Sequence, residues 1–226
     1  MKFWEFSILS VKEQIVANGF AFLPSLHSAA SSIDVAATIG RSIALNGINP
    51  LYRLTPKTAC ESTPNSYSGI YGLGMFPLHT DLAHHPLPPR YFILRCITGH
   101  HSVRTSLVDG YEIATVVGLS LLARSLVQPR RPTSRKLPLM TLYSVKNDVG
   151  LLRWDEQFIK PASRAGEQGS SAFVEALKKV SPTEFCLEGC GDTLVIDNWR
   201  MLHGRSAVPF DSRTRVIERI YLEEML

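Results

Sequence analysis

The feature that most constrains the fold is an asymmetry of pattern: helix-like segments lie near the start, and short strand-like runs bounded by turn residues fill much of the remaining chain. Ser10 and Gly19 frame residues 11–18 as a helix, Ser as N-cap and Gly as the left-handed stop. Phe20–Leu23 then reads as a strand closed by Pro24. Residues 32–44 read as a second helix with Ile33, Ala36, Ala37 and Ile43 as its apolar stripe. Residues 49–68, rich in Pro, Thr, Ser and Asn, are expected to form loops or an irregular edge. Tyr91–Ile97 (YFILRCI) is a strand pattern, and a helix is expected over 110–127. Strands at 139–145 and 149–154, a helix at 172–179 capped by Ser171, and strands at 193–196 and 216–222 complete the reading. With no repeat and no dividing linker, residues 1–226 are expected to form one domain. This order of elements predicts an α+β, mainly β architecture, a sandwich or jelly-roll core with flanking helices.

Composition narrows the class. The chain is 45% hydrophobic and 19% charged, with mean hydropathy near zero, which excludes general disorder. A formal charge of +4 falls short of the footprint of a nucleic-acid binder and favours anionic small molecules slightly. The uncharged stretch Ile113–Ala123 is well short of the ~20 residues a membrane span needs, and the N-terminus lacks a secretory pattern. A soluble cytoplasmic protein with no membrane or nucleic-acid partner is therefore expected, its oligomeric state open. Cys60, Cys96, Cys186 and Cys190 are expected as reduced thiols, although Cys186 and Cys190 have zinc-compatible spacing. The basic run Arg130, Arg131, Arg135, Lys136 reads as a solvated loop.

Chemistry concentrates at one tripeptide. Of seven histidines, His79 alone stands in an H-x-D arrangement, His79-Thr80-Asp81. On a strand, residues two apart share a face, so both side chains can reach one metal. His203, in Asp197–Arg205 (DNWRMLHGR), is the natural third ligand. Two His and one carboxylate make the facial triad of non-haem Fe(II), with open positions for substrate and O2. A zinc hydrolase could use the same ligands. Arg213, Arg215 and Arg219 follow His203, and Arg215 and Arg219 share a strand face. A diacid chelating iron through its keto-acid end leaves a far carboxylate that an Arg fork suits. His84 and His85 read as exposed or as neighbours of the ligands, and the adjacent His100 and His101 would face opposite ways on a strand.

In these pieces the chain resembles the taurine dioxygenase-like (TauD/TfdA) family of Fe(II)/2-oxoglutarate-dependent oxygenases. The resemblance rests on His79–Asp81, on Thr105 followed shortly by Asp109, on Gly191–Arg205, and on Arg215 with Arg219. It implies a double-stranded β-helix with His79, Asp81 and His203 on iron. It implies Arg215 on the far carboxylate of 2-oxoglutarate, with Thr105 donating a hydroxyl to it. Arg219 would lie near the metal-bound end of that co-substrate or near a polar group of the substrate. Leu151–Asp155 looks like the family's substrate-side strand, with Trp154 and Asp155 as candidate substrate contacts and Asp155 suited to a cationic group. The implied activity is oxidation, by default hydroxylation, of a small organic molecule with Fe(II), 2-oxoglutarate and O2. A silent 2-oxoglutarate-binding protein of the same fold is the second reading, a zinc-dependent hydrolase the third.

Overall fold

The computed structural model describes residues 3–44, 50–131 and 138–226, and for residues 3–10 the backbone alone. Arg135 and Lys136 of the basic run thus lie outside the described residues. Helix α1 (Phe3–Asn18) leads into β1 (Phe20–Leu23), then α2 (Ser32–Ile39), β2 (Gly40–Ser42) and β3 (Leu51–Leu54). Next come α3 (Tyr67–Tyr71), β4 (Phe76–His79), β5 (Tyr91–Thr98) and β6 (Arg104–Asp109). A middle segment holds α4 (Gly110–Val117), α5 (Leu119–Arg124), β7 (Leu126–Pro129), β8 (Met140–Thr141) and β9 (Tyr143–Lys146). It continues through β10 (Val149–Leu152), β11 (Ile159–Pro161) and α6 (Arg164–Leu177). The chain then runs through β12 (Thr183–Cys186), β13 (Thr193–Asp197), β14 (Met201–Arg205) and β15 (Val216–Met225).

Two antiparallel sheets form the core. The larger runs β1-β13-β5-β15-β2 with β3 also paired to β15, and the smaller runs β12-β6-β14-β4. Neighbours in space are distant in sequence, as expected of a double-stranded β-helix rather than a meander. Strand β5 explains its own sequence. Phe92, Leu94 and Cys96 point between the sheets, where they meet Leu107, Ile196 and Ile217. Tyr91 and Ile93 point the other way, onto α1 and α2. A central strand covered on both faces must be apolar at nearly every position.

Several boundaries differ from the sequence reading. The second helix stops at Ile39, because the chain from Gly40 pairs with β15 instead of continuing the helix. Ile33, expected in its apolar stripe, is 55% exposed. The helix expected over 110–127 is broken at Gly118, whose φ of 99° suits glycine, and β7 takes its last residues. Helix α6 begins eight residues earlier than Ala172, at Arg164, capped by Ser163. Its early glycines disguise it. A Cβ at Gly166 or Gly169 would collide with Leu126 O or Ser125 Oγ, so these residues serve the packing of α6 on the β7 end. Among the described residues no helix is long and apolar enough to cross a membrane.

Candidate metal centre and its cavity

Two paired strands deliver the histidines. β4 lies antiparallel to β14 with His79 and His203 as direct register partners, and their rings sit 4.3 Å apart. His79 Nε2 and His203 Nε2 lie 3.6 and 3.7 Å from Asp81 Oδ1. All three side chains are buried, and one ligand atom from each falls within 4.8 Å of the others. His79 Nδ1 lies 2.9 Å from Pro77 O. A carbonyl can only accept, so Nδ1 carries the proton and Nε2 keeps a lone pair for a metal. This donor set, one oxygen and two imidazole nitrogens around one point, fits a divalent transition metal.

Asp81 reaches the site by a different route from the one expected. β4 ends at His79, so Asp81 stands in the turn beyond the strand, just before Leu82 at a φ of 57°. Asn198 holds that turn. Its Oδ1 accepts from Asp81 N at 2.7 Å, and its Nδ2 donates to Asp81 O at 3.0 Å and to Pro89 O at 2.9 Å. Thr80 adds a second tie, its N donating to Trp154 O at 2.8 Å. Burial alone would raise the Asp81 carboxyl, but Arg219 and the two imidazoles hold it well below the usual carboxylate range. Burial, then the neighbouring His79, pushes His203 down to about 3, which keeps it neutral.

The triad opens into a cavity of about 510 Å³ with two unlike ends. At one end stand Arg215, Arg205 and Thr105. Arg215 is 7% exposed, and no carboxylate among the described residues pairs with it. Its Nε is buried without a partner, and burial lowers its pKa. Arg205 donates to Gly72 O and Gly74 O and lies 3.7 Å over the Phe76 ring. Thr105, on β6, is the register partner of Arg205.

At the other end stand Asp155, Tyr67, His84 and Phe158. Asp155 is 2% exposed; its Oδ1 accepts from Gln157 N and Phe158 N at 2.8 and 3.0 Å, and it has no cationic partner among the described residues. Burial raises its pKa. The Tyr67 hydroxyl and His84 Nδ1 are buried without partners, and the Tyr67 ring stacks on His79 at 4.3 Å. Burial, then His85 and Arg153, pushes His84 down to about 4, so His84 is an acceptor as well as a donor.

The sequence-named residues divide accordingly. His79, Asp81, His203, Thr105, Arg215, Arg219 and Asp155 all line the one cavity. Trp154 does not; its ring stacks on Phe173 of α6 in the helical layer. Arg219 is ion-paired to Asp81 Oδ2 at 2.9 Å, and Arg213 grips Glu61 outside the cavity. His100 and His101 sit in a turn, not on a strand, with rings stacked at 4.6 Å. Sequence patterns assign no role to Asn198 or Tyr67. An Asn directly after Asp197 is a usable signal; Tyr67, on a helix of five residues in a polar stretch, offers none.

No family model matches the chain. Clavaminate synthase 2 of Streptomyces clavuligerus is 26% identical over 171 residues, 66% of this chain, and the chain spans about half (50%) of that relative's length. Among solved structures, an asparagine oxygenase with Fe(II), 2S,3S-3-hydroxyasparagine and succinate bound superposes with a TM-score of 0.71 at 12% identity, covering 96% of this chain and 78% of that one. The non-haem iron oxygenase OrfP, with Fe and α-ketoglutaric acid bound, gives 0.70 at 17%, covering 97% and 81%. PvcB of Pseudomonas aeruginosa gives 0.68 at 15%, covering 98% and 82%. At these identities the likeness establishes the fold, the double-stranded β-helix expected from the sequence.

Proposed function

We propose that this chain, taurine dioxygenase-like (TauD/TfdA) in its fold and in the order of its candidate ligands, oxidises a C–H bond of a small organic substrate. The reaction consumes 2-oxoglutarate and O2; one oxygen atom enters the substrate as a hydroxyl, the other enters succinate, and CO2 leaves. The observation that carries this reading is Arg215, a buried guanidinium in the triad's own cavity with no counter-ion among the described residues. Taking such a charge out of water costs several kcal/mol unless an anion and hydrogen bonds meet it. A bound diacid supplies that anion, with the Thr105 hydroxyl as a second donor. A zinc hydrolase with the same ligands leaves Arg215 without a purpose.

His79 and His203 would hold the metal through Nε2 and Asp81 through Oδ1. Iron(II) bound there supplies the reducing power that lets O2 react with the 2-oxo acid. The rest falls to the protein. Arg215 and Thr105 fix the far end of the co-substrate, and Tyr67, stacked on His79, keeps water from one side of the metal. The uncompensated Asp155 supports a substrate bearing a cationic group, which would sit against its carboxylate at the end away from Arg215. The 3-hydroxyasparagine in one structural relative, and the (3S)-hydroxy-L-Arg in another, are amino acids with such a group.

The test is metal dependence. Protein stripped with a chelator and reloaded with Fe(II) is expected to release succinate from 2-oxoglutarate in air, and protein reloaded with Zn(II) is not. Turnover with Zn(II) and none with Fe(II) would reverse the reading. Asp81→Ala is expected to abolish succinate release, and a wild-type rate in that variant would remove the carboxylate from the ligand set.

A further inference from the structure

The two oxygens of Asp81 have different surroundings. Oδ1 faces the imidazole nitrogens of His79 and His203. Oδ2 receives two hydrogen bonds, 2.9 Å from Arg219 Nη1 and 2.9 Å from Tyr221 Oη. Tyr221 arrives there by strand period: Arg215, Ile217, Arg219 and Tyr221 occupy alternate positions and all line the metal cavity. Its ring is 2% exposed, edge-on to Tyr52 and Phe92 with centroids 6.5 and 6.3 Å away. A phenol fixed in this way by the core has one direction in which to donate.

We propose that Tyr221 is a positioning residue that makes Asp81 a one-oxygen ligand. This rests on the reading that His79, Asp81 and His203 hold the metal. A carboxylate whose two oxygens are equally free can chelate a metal through both, and would then fill one of the positions that a 2-oxo acid and O2 require. With Tyr221 and Arg219 on Oδ2, that oxygen is committed and only Oδ1 is offered. Arg219 alone is a poorer guard. It carries its charge on a long flexible stem, 21% exposed, whereas the Tyr221 hydroxyl sits on a rigid ring within the core. Hydrogen bonds to a ligating carboxylate typically change metal affinity 10–100-fold when removed.

The experiment uses Tyr221→Phe, which deletes the hydroxyl and keeps the ring. Metal-free protein is titrated with Co(II), following the visible absorption of the bound ion. The expected result is a loss of Co(II) affinity of about tenfold or more. With it should come a change in band intensity, as a second carboxylate oxygen alters the coordination number. Affinity and spectrum equal to wild type would overturn the proposal. Wild-type protein that binds no Co(II) would instead overturn the metal reading beneath it. Should Tyr221→Phe fail to fold, a crystal structure of the wild-type protein with Co(II) decides. Oδ2 is expected still on Tyr221 Oη and outside bonding reach of the metal, and chelation through both oxygens would overturn the proposal.

Discussion

Arg95 and Arg215 are both buried guanidiniums, one on β5 and the other just ahead of its neighbour β15, and they differ in where their donors end. Arg95, 1% exposed, donates to Leu26 O, His27 O, Ala30 O, Gly191 O and Thr193 Oγ1 at 2.6–3.4 Å. It staples the 26–30 turn to the outer face of the larger sheet. Arg215 opens into the cavity and finds no carboxylate. Burial of a charge is therefore uninformative by itself; the difference lies in satisfaction. A guanidinium whose hydrogen bonds close within the chain belongs to the fold, and one whose bonds remain open marks a ligand.

The contrast breaks most visibly at Arg95. Arg95→Ala removes several charged hydrogen bonds and leaves their carbonyls buried, so a stability loss of roughly 3–5 kcal/mol is expected in urea unfolding. Any folded remainder should bind 2-oxoglutarate like wild type. Arg215→Ala should do the opposite. Its unfolding free energy is expected within about 1 kcal/mol of wild type, because the charge removed was unpaired. Its 2-oxoglutarate affinity should fall roughly 10–100-fold, from one hydrogen-bonded charge at ~1.5–3 kcal/mol. If both arginines cost stability alike and neither affects the co-substrate, the distinction between them is lost.

Asp155 extends the comparison to a carboxylate. Asp155→Asn should raise KM about tenfold for a cationic substrate and leave 2-oxoglutarate affinity alone. Because burial raises the Asp155 pKa, its charge disappears as pH falls through that raised value. Wild-type kcat/KM for a cationic substrate should decline there, and the Asn variant should lack that limb of the pH profile. The smallest effect belongs to Thr105→Val, a neutral donor lost: 2-oxoglutarate affinity should weaken about fivefold, as one hydrogen bond of ~1 kcal/mol implies. An unchanged titration curve would take Thr105 out of the co-substrate site.

Much of this site is legible in the sequence because its chemistry follows the periodicity of strands. Residues two apart share a face, so Arg215 and Arg219 group together without coordinates, and Tyr221 stands at the next step of the same alternation. The H-x-D logic works less directly. Asp81 lies past the end of β4 and faces the metal because Asn198 holds its backbone from a distant turn, a contact that no local pattern encodes. Element boundaries fail where tertiary pairing overrides local preference, as at Gly40, where the strand partner β15 wins over the helix. Trp154 and Asp155 show the limit most plainly. Adjacent in sequence, they part company in space, one stacked on α6 and the other on the cavity wall.

The most direct test of the central claim is an anaerobic titration of the Fe(II)-loaded protein with 2-oxoglutarate, following the metal-to-ligand charge-transfer absorption. Wild-type protein is expected to saturate, Arg215→Ala to require roughly 10–100 times more 2-oxoglutarate, and Arg215→Lys to fall between, its charge kept and its fork lost. Equal affinity in all three, or no absorption band in wild type at any concentration, would contradict the assignment of Arg215 and of 2-oxoglutarate to this cavity.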